Sequence, residues 1–65
     1  MSNTSNPTQA DIATILRRPS IRSILTIRGE EFPEDITGKE AVKRFNVYGG
    51  EFTFSGYDIL FTYSI

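Results

Sequence analysis

The C-terminal stretch EFTFSGYDILFTYSI, residues 51–65, restricts the fold more than any other part of this chain. Phe52 and Phe54 alternate with Glu51, Thr53 and Ser55. Beyond Gly56, the residues Tyr57, Ile59, Phe61, Tyr63 and Ile65 alternate with Asp58, Leu60, Thr62 and Ser64. A period of two sends successive side chains to opposite faces of a strand, so this pattern predicts a β-hairpin with every aromatic ring on one face. The turn is either Ser55-Gly56, which pairs Phe54 with Tyr57, or Gly56-Tyr57, which pairs Phe54 with Ile59. Both choices give the same apolar face, and that face needs a cover.

Little chain is left to supply one. The protein has 65 residues, enough for one small domain. Domains of this size bury only ~60% of the surface their unfolded chains expose, and many lean on disulfides, metals or oligomerisation. Cysteine and histidine are both absent. Disulfides, thiolate metal sites, Ser-His-Asp triads and Cys-His pairs are therefore excluded, and zinc loses its two usual ligands. No metal or cofactor is expected.

Two helices can cover the hairpin. In NPTQADIATILRR, Ile12, Ile15 and Leu16 share a helical face, and Pro19 stops the run. Asn6 with Pro7 and Gln9 forms one N-terminal signature, and Thr8 with Asp11 another. In ITGKEAVKRFN, Thr37 and Glu40 form a T-x-x-E capping box, and Ala41, Val42 and Phe45 form the buried stripe. Between the helices lies SIRSILTIRG. Its β-branched content favours a strand with Ile21, Ser23, Leu25 and Ile27 on one face and Arg22, Thr26 and Arg28 on the other. Ile24 breaks that alternation. The following EEFPED reads as a loop punctuated by Pro33.

The expected fold class is therefore α+β: a small three-stranded antiparallel sheet with two helices on one face, in the order α-β-α-β-β. Residues 1–6 are expected to be a disordered tail, and residues 7–65 the domain. The expected core is Ile12, Ile15, Leu16, Ile21, Leu25, Ile27, Phe32, Val42, Phe45, Phe52, Phe54, Ile59 and Phe61. No apolar run is long enough to span a membrane and no signal peptide is visible, so a cytoplasmic protein without a membrane partner is expected.

The stretch RRPSIRSILTIRGEEFPED, residues 17–35, changes sign at Gly29. Glu30, Glu31, Glu34 and Asp35 lack the D-x-D-x-D-G pattern of a calcium loop. Grouped on a loop, they would instead imitate phosphates and occupy a basic groove on another protein. Arg17, Arg18, Arg22 and Arg28 form the basic half. Gln9, Ala10, Asp11, Ile12, Ala13, Leu16 and the Arg28-Gly29-Glu30 ending resemble a helix-turn-helix unit of the small repressor type. Arg17 and Arg18 depart from the usual turn. The resemblance implies a DNA-binding regulator using residues 8–30, with Ser20, Arg22 and Ser23 in the major groove and Arg28 on phosphate. Net charge is −1 at pH 7, which is unlike a dedicated nucleic-acid domain. TGKE fails as a phosphate-binding loop, because Glu40 stands where the Ser or Thr belongs.

The leading functional expectation is a non-enzymatic protein-binding module of the phage or mobile-element inhibitor type, docking on a larger protein or protein complex. Such anti-defence inhibitors resemble this chain in size, lack of cysteine and segregated charge. The contact residues would be Glu30, Glu31, Glu34, Asp35, Tyr57 and Tyr63. Two alternatives are the DNA-binding regulator and an oligomeric structural protein, for example a homodimer joined through the C-terminal strand.

Overall fold

A computed structural model describes residues 9–55 and 58–65. The elements are α1 (Gln9–Leu16), β1 (Ile21–Ile27), β2 (Glu30–Ile36), α2 (Gly38–Tyr48), β3 (Glu51–Ser55) and β4 (Asp58–Ser64). The fold is α+β, with two helices and one mixed four-stranded sheet of order β2-β1-β4-β3. β1–β2 and β3–β4 are antiparallel hairpins, and β1 runs parallel to β4. The expected tail and the Asn6, Pro7 and Thr8 signals lie outside the described residues.

The expectation of three antiparallel strands is corrected by residues 30–36, which form a strand and not a loop. Their composition hid this, since four carboxylates and a proline are poor strand formers. The hydrogen-bond directions explain why Pro33 is tolerated. The Ile65 amide donates to the Thr26 carbonyl at 3.2 Å. Thr26 therefore bonds toward β4, as do Ile24 and Arg22, because backbone groups alternate sides along a strand. Ile27, Leu25, Ser23 and Ile21 then bond toward β2, to Glu30, Phe32, Glu34 and Ile36 respectively. Glu31, Pro33 and Asp35 are left with their backbone groups facing outward. Proline sits where a missing N–H costs the ladder nothing. The turn between β1 and β2 places Arg28 at φ 54° and Gly29 at φ 83°, the positive values that two-residue hairpin loops favour.

The C-terminal hairpin follows its alternation. Phe54 pairs with Ile59 and Ser55 with Asp58, the register expected of Gly56-Tyr57 as the connection. Ile59, Phe61 and Tyr63 are buried on the helix side. Phe52 joins them, and a line of rings runs Phe45–Phe52–Phe61–Tyr63, with centroids 5.4, 4.7 and 4.9 Å apart. Ile15, Ile21 and Ala41 complete the buried core, flanked by Leu25, Ile36, Val42 and Phe45. β4 is an interior strand, bonded to β1 on one side and β3 on the other. The homodimer expected through the C-terminal strand therefore has no free β4 edge to use. The unpaired edges belong to β2 and β3.

Both helices are held by their ends. The Thr37 side chain accepts the Glu40 amide at 3.1 Å, and Gly49 at φ 80° closes α2 by donating to the Phe45 carbonyl at 2.8 Å. At the other end, Gly38 is buried against α1 and donates to the Arg18 carbonyl at 3.0 Å. A Cβ at Gly38 would overlap the Ile15 carbonyl oxygen. This glycine serves close approach, with the N-terminus of α2 set against the C-terminus of α1.

The helices pack on each other, and α2 lies over β4 and β1. Four expected core residues, Leu16, Ile27, Phe32 and Phe54, are consequently exposed. Two short helices are narrower than the four strands beneath them. On the opposite face no described element covers the sheet, and Ile24, Thr26, Leu60 and Thr62 are half-buried at its centre. Ile24 breaks the alternation of β1 because it lies between Pro33 and Thr62 on that face.

Candidate functional site

The carboxylates at positions 30–35 do not form one acidic loop. β2 alternates, so Glu30, Phe32 and Glu34 face the helix side while Glu31, Pro33 and Asp35 face the open side. Every residue from Glu30 to Asp35 is exposed. Glu34 has a structural role. Arg44 on α2 donates to Glu34 Oε2 at 2.6 Å, to Glu40 Oε2 at 2.9 Å and to the Tyr63 hydroxyl at 2.8 Å. Its guanidinium also lies 5.7 Å from the centre of the Tyr63 ring. The Glu34 hydrogen bond raises the guanidinium pKa above its ordinary value, desolvation opposes this, and Glu40 and Tyr63 add to the rise. Arg44 thus joins β2, α2 and β4. No ion pair reaches Glu30, Glu31 or Asp35 among the described residues.

Tyr63, expected as an interface anchor, is only 5% exposed, and its hydroxyl is engaged by Arg44. It supports the surface from below and does not present itself to a partner. Tyr57 lies outside the described residues. The apolar anchors are different residues. Phe32 projects beside Leu25 on the helix side of β2. Ile27 lies next to Ile65, which continues β4 through its bond to Thr26. Val47, Tyr48, Tyr63 and Ile65 line one groove together with Glu40, Lys43 and Arg44, and Tyr48 stacks on Tyr63 at 6.1 Å. Phe32, Ile27, Ile65, Tyr48 and Val47 are between 37% and 70% exposed. They form an apolar strip across one end of the helix side, bordered on that face by Glu30 of β2. Sequence reasoning assigned Phe32 and Ile27 to the core. The signal that distinguishes them is the short reach of the helices, which no local pattern encodes.

The arginines separate. Arg17 and Arg18 follow α1, and their amides close its last turn on the Thr14 and Ile15 carbonyls. Arg22 lies at the start of β1 on the open face, opposite Asp35. Arg18 and Arg22 line one cleft of about 530 Å³ with Ser20, Asp35, Asp58, Ile59 and Leu60, so the cleft carries both basic and acidic side chains. Arg28 sits at the far end of β1, whose seven residues span roughly 20 Å at ~3.3 Å each. The four arginines of the basic half are thus split between the two ends of a strand. The second helix that a helix-turn-helix unit requires is strand β1, and Ser23, expected to face the groove, is wholly buried. The resemblance over residues 8–30 does not extend to this fold.

Ser23 is a polar side chain within the buried core. Its hydroxyl has no hydrogen-bond partner among the described residues and lies on the helix side between the β-partners Glu34 and Phe61. Among the described residues no cluster of carboxylates could hold a metal ion, and no helix is long and apolar enough to cross a membrane. No protein-family model matches this chain, and no similar curated protein or solved structure is found for it.

Proposed function

We propose that this protein is a non-enzymatic protein-binding module, an inhibitor or modulator that docks on a larger protein through β2 and the apolar strip beside it. One observation carries the reading. An exposed apolar strip on the helix side, containing Phe32 and Tyr48, runs to the edge strand β2, whose exposed Glu30 shares its face while Glu31 and Asp35 project from the other face of the same edge. Exposed apolar patches with polar rims mark association surfaces, and aromatic residues at their centres supply most of the binding energy. The carboxylate rim selects a basic partner surface and speeds encounter with it. A nucleic-acid-binding groove on another protein has that chemistry. Pro33 and the outward carboxylates prevent strand addition along β2, so recognition here runs through side chains.

The test is capture from the native host with three forms of the protein. Phe32→Ala and the triple variant Glu30→Gln, Glu31→Gln, Asp35→Asn are expected to lose the same captured protein, while Arg22→Gln on the open face retains it. Glu34 is left unchanged because it holds Arg44. Equal capture by all three forms would refute the assignment of the surface.

A further inference from the structure

We propose that β3 is a self-association edge, at which two copies of this chain join antiparallel about Thr53 to form one eight-stranded sheet. The first observation is the direction of the backbone groups. Ile65 bonds toward β1, so the even-numbered residues of β4 bond toward β3. Their partners are Ser55, Thr53 and Glu51. Phe52 and Phe54 therefore direct their N–H and C=O groups away from the sheet, where no described residue meets them.

The second observation is the contrast between the two edges. β2 is blocked by Pro33 at an outward position and by Glu31 and Asp35 on either side of it. β3, with the sequence EFTFS, has no proline and no lysine, and its one charge is at its end. Natural sheets usually protect an edge with such residues. Here one edge is protected and the other is not, which limits association to a closed pair.

The third observation is that the register complements itself. With Thr53 on the two-fold axis, Phe52 of one copy faces Phe54 of the second, and their outward backbone groups meet as hydrogen-bonded pairs. Thr53 faces Thr53 at the non-hydrogen-bonded position, where side chains approach most closely. Glu51 faces position 55, so no carboxylate opposes another. The two Glu51 residues lie at opposite ends of the seam, roughly 13 Å apart at ~3.3 Å per residue. A register centred on Glu51 would place them together. Phe54, 44% exposed in a single copy, gains the neighbouring Phe52 as an apolar contact. A two-fold axis perpendicular to the sheet keeps all helices on one side and leaves both β2 edges free at the ends. The inference does not depend on the role proposed for β2.

Sedimentation equilibrium over a concentration series tests it. The wild type is expected to rise from the monomer mass of 7.3 kDa toward twice that value. Thr53 is exposed, so Thr53→Lys and Thr53→Glu are expected to keep the wild-type circular dichroism spectrum. Each variant alone places like charges on the axis and stays monomeric, and an equal mixture of the two associates again. A wild type that remains monomeric throughout overturns the proposal. So does a Thr53→Lys variant that dimerises like the wild type, or a mixed pair that fails to associate.

Discussion

Replacing Gly38 with alanine adds one methyl group and is expected to remove a large part of the stability of this domain. Gly38 is buried where the N-terminus of α2 meets the C-terminus of α1. A Cβ built there overlaps the Ile15 carbonyl oxygen and lies 3.1 Å from the Arg18 carbonyl oxygen. Both neighbours are backbone, so no side-chain rotation relieves the contact. The helices must separate instead, and Ile15 is fully buried between them. Overpacking of this kind costs about 1–3 kcal/mol. Separation also weakens the 3.0 Å bond from the Gly38 amide to Arg18, worth about 1 kcal/mol. Partial exposure of Ile15 adds about 1 kcal/mol. Improved helix propensity returns less than ~1 kcal/mol at a terminal position. The expected loss is roughly 3 kcal/mol, against a total of roughly 3–10 kcal/mol for a chain of this length. Urea unfolding followed by far-ultraviolet circular dichroism measures it directly. Gly49→Ala is the control, because Gly49 has open space and only its φ of 80° to resist a side chain. That variant is expected to lose about 1–2 kcal/mol. A Gly38→Ala protein within about 0.5 kcal/mol of wild type, the margin typical of innocuous surface changes, would refute the close-approach argument.

Three further substitutions probe separate parts of the account. Ser23→Ala removes a buried hydroxyl that has no partner among the described residues and is expected to raise stability by about 1 kcal/mol in the same assay; a loss of similar size would show that the hydroxyl is satisfied. Arg44→Met removes two ion pairs, the bond to Tyr63 and the ring contact, for an expected loss of roughly 2 kcal/mol. Faster amide exchange along β2 should accompany that loss, and unchanged exchange would contradict the tethering role of Glu34. Arg28→Asn places a residue tolerant of positive φ at the β1–β2 turn and is expected to gain about 0.5–1 kcal/mol; a destabilised variant would mean that Arg28 makes a contact worth more than its strain.

The parts of the fold set by local chemistry were legible in the sequence. Phe52, Phe54, Ile59, Phe61 and Tyr63 share a face because alternation leaves no other choice, and Thr37 caps α2 because its hydroxyl reaches the Glu40 amide. Residues 21–27 announced a strand through their β-branched content. β2 was hidden because its alternation is polar on both faces and because Pro33 argues against a strand unless it faces outward at an edge. Whether it does so depends on the partner strand, which is not local information. The parallel pairing of β1 with β4 joins residues nearly forty positions apart, such as Arg22 and Leu60. That pairing makes the last strand interior and moves the open edge to β3.

The candidate surface was legible in half. The acidic residues were visible as a group, but their distribution over two faces and the diversion of Glu34 to Arg44 depend on β2 being a strand. Tyr63 drew attention as an aromatic residue near the chain end, yet its neighbours bury it. Phe32 and Ile27 looked like core because they are apolar and correctly phased. They remain exposed because neither helix extends over them.

Photo-crosslinking from position 32 in the native host tests the central claim most directly. A crosslinking amino acid replaces Phe32 in one protein and the exposed Lys39 on α2 in another. The account predicts one dominant adduct to a larger protein from position 32, none from position 39, and loss of the adduct when Glu30, Glu31 and Asp35 are neutralised. Equal adducts from both positions, or an adduct indifferent to those three carboxylates, would contradict it.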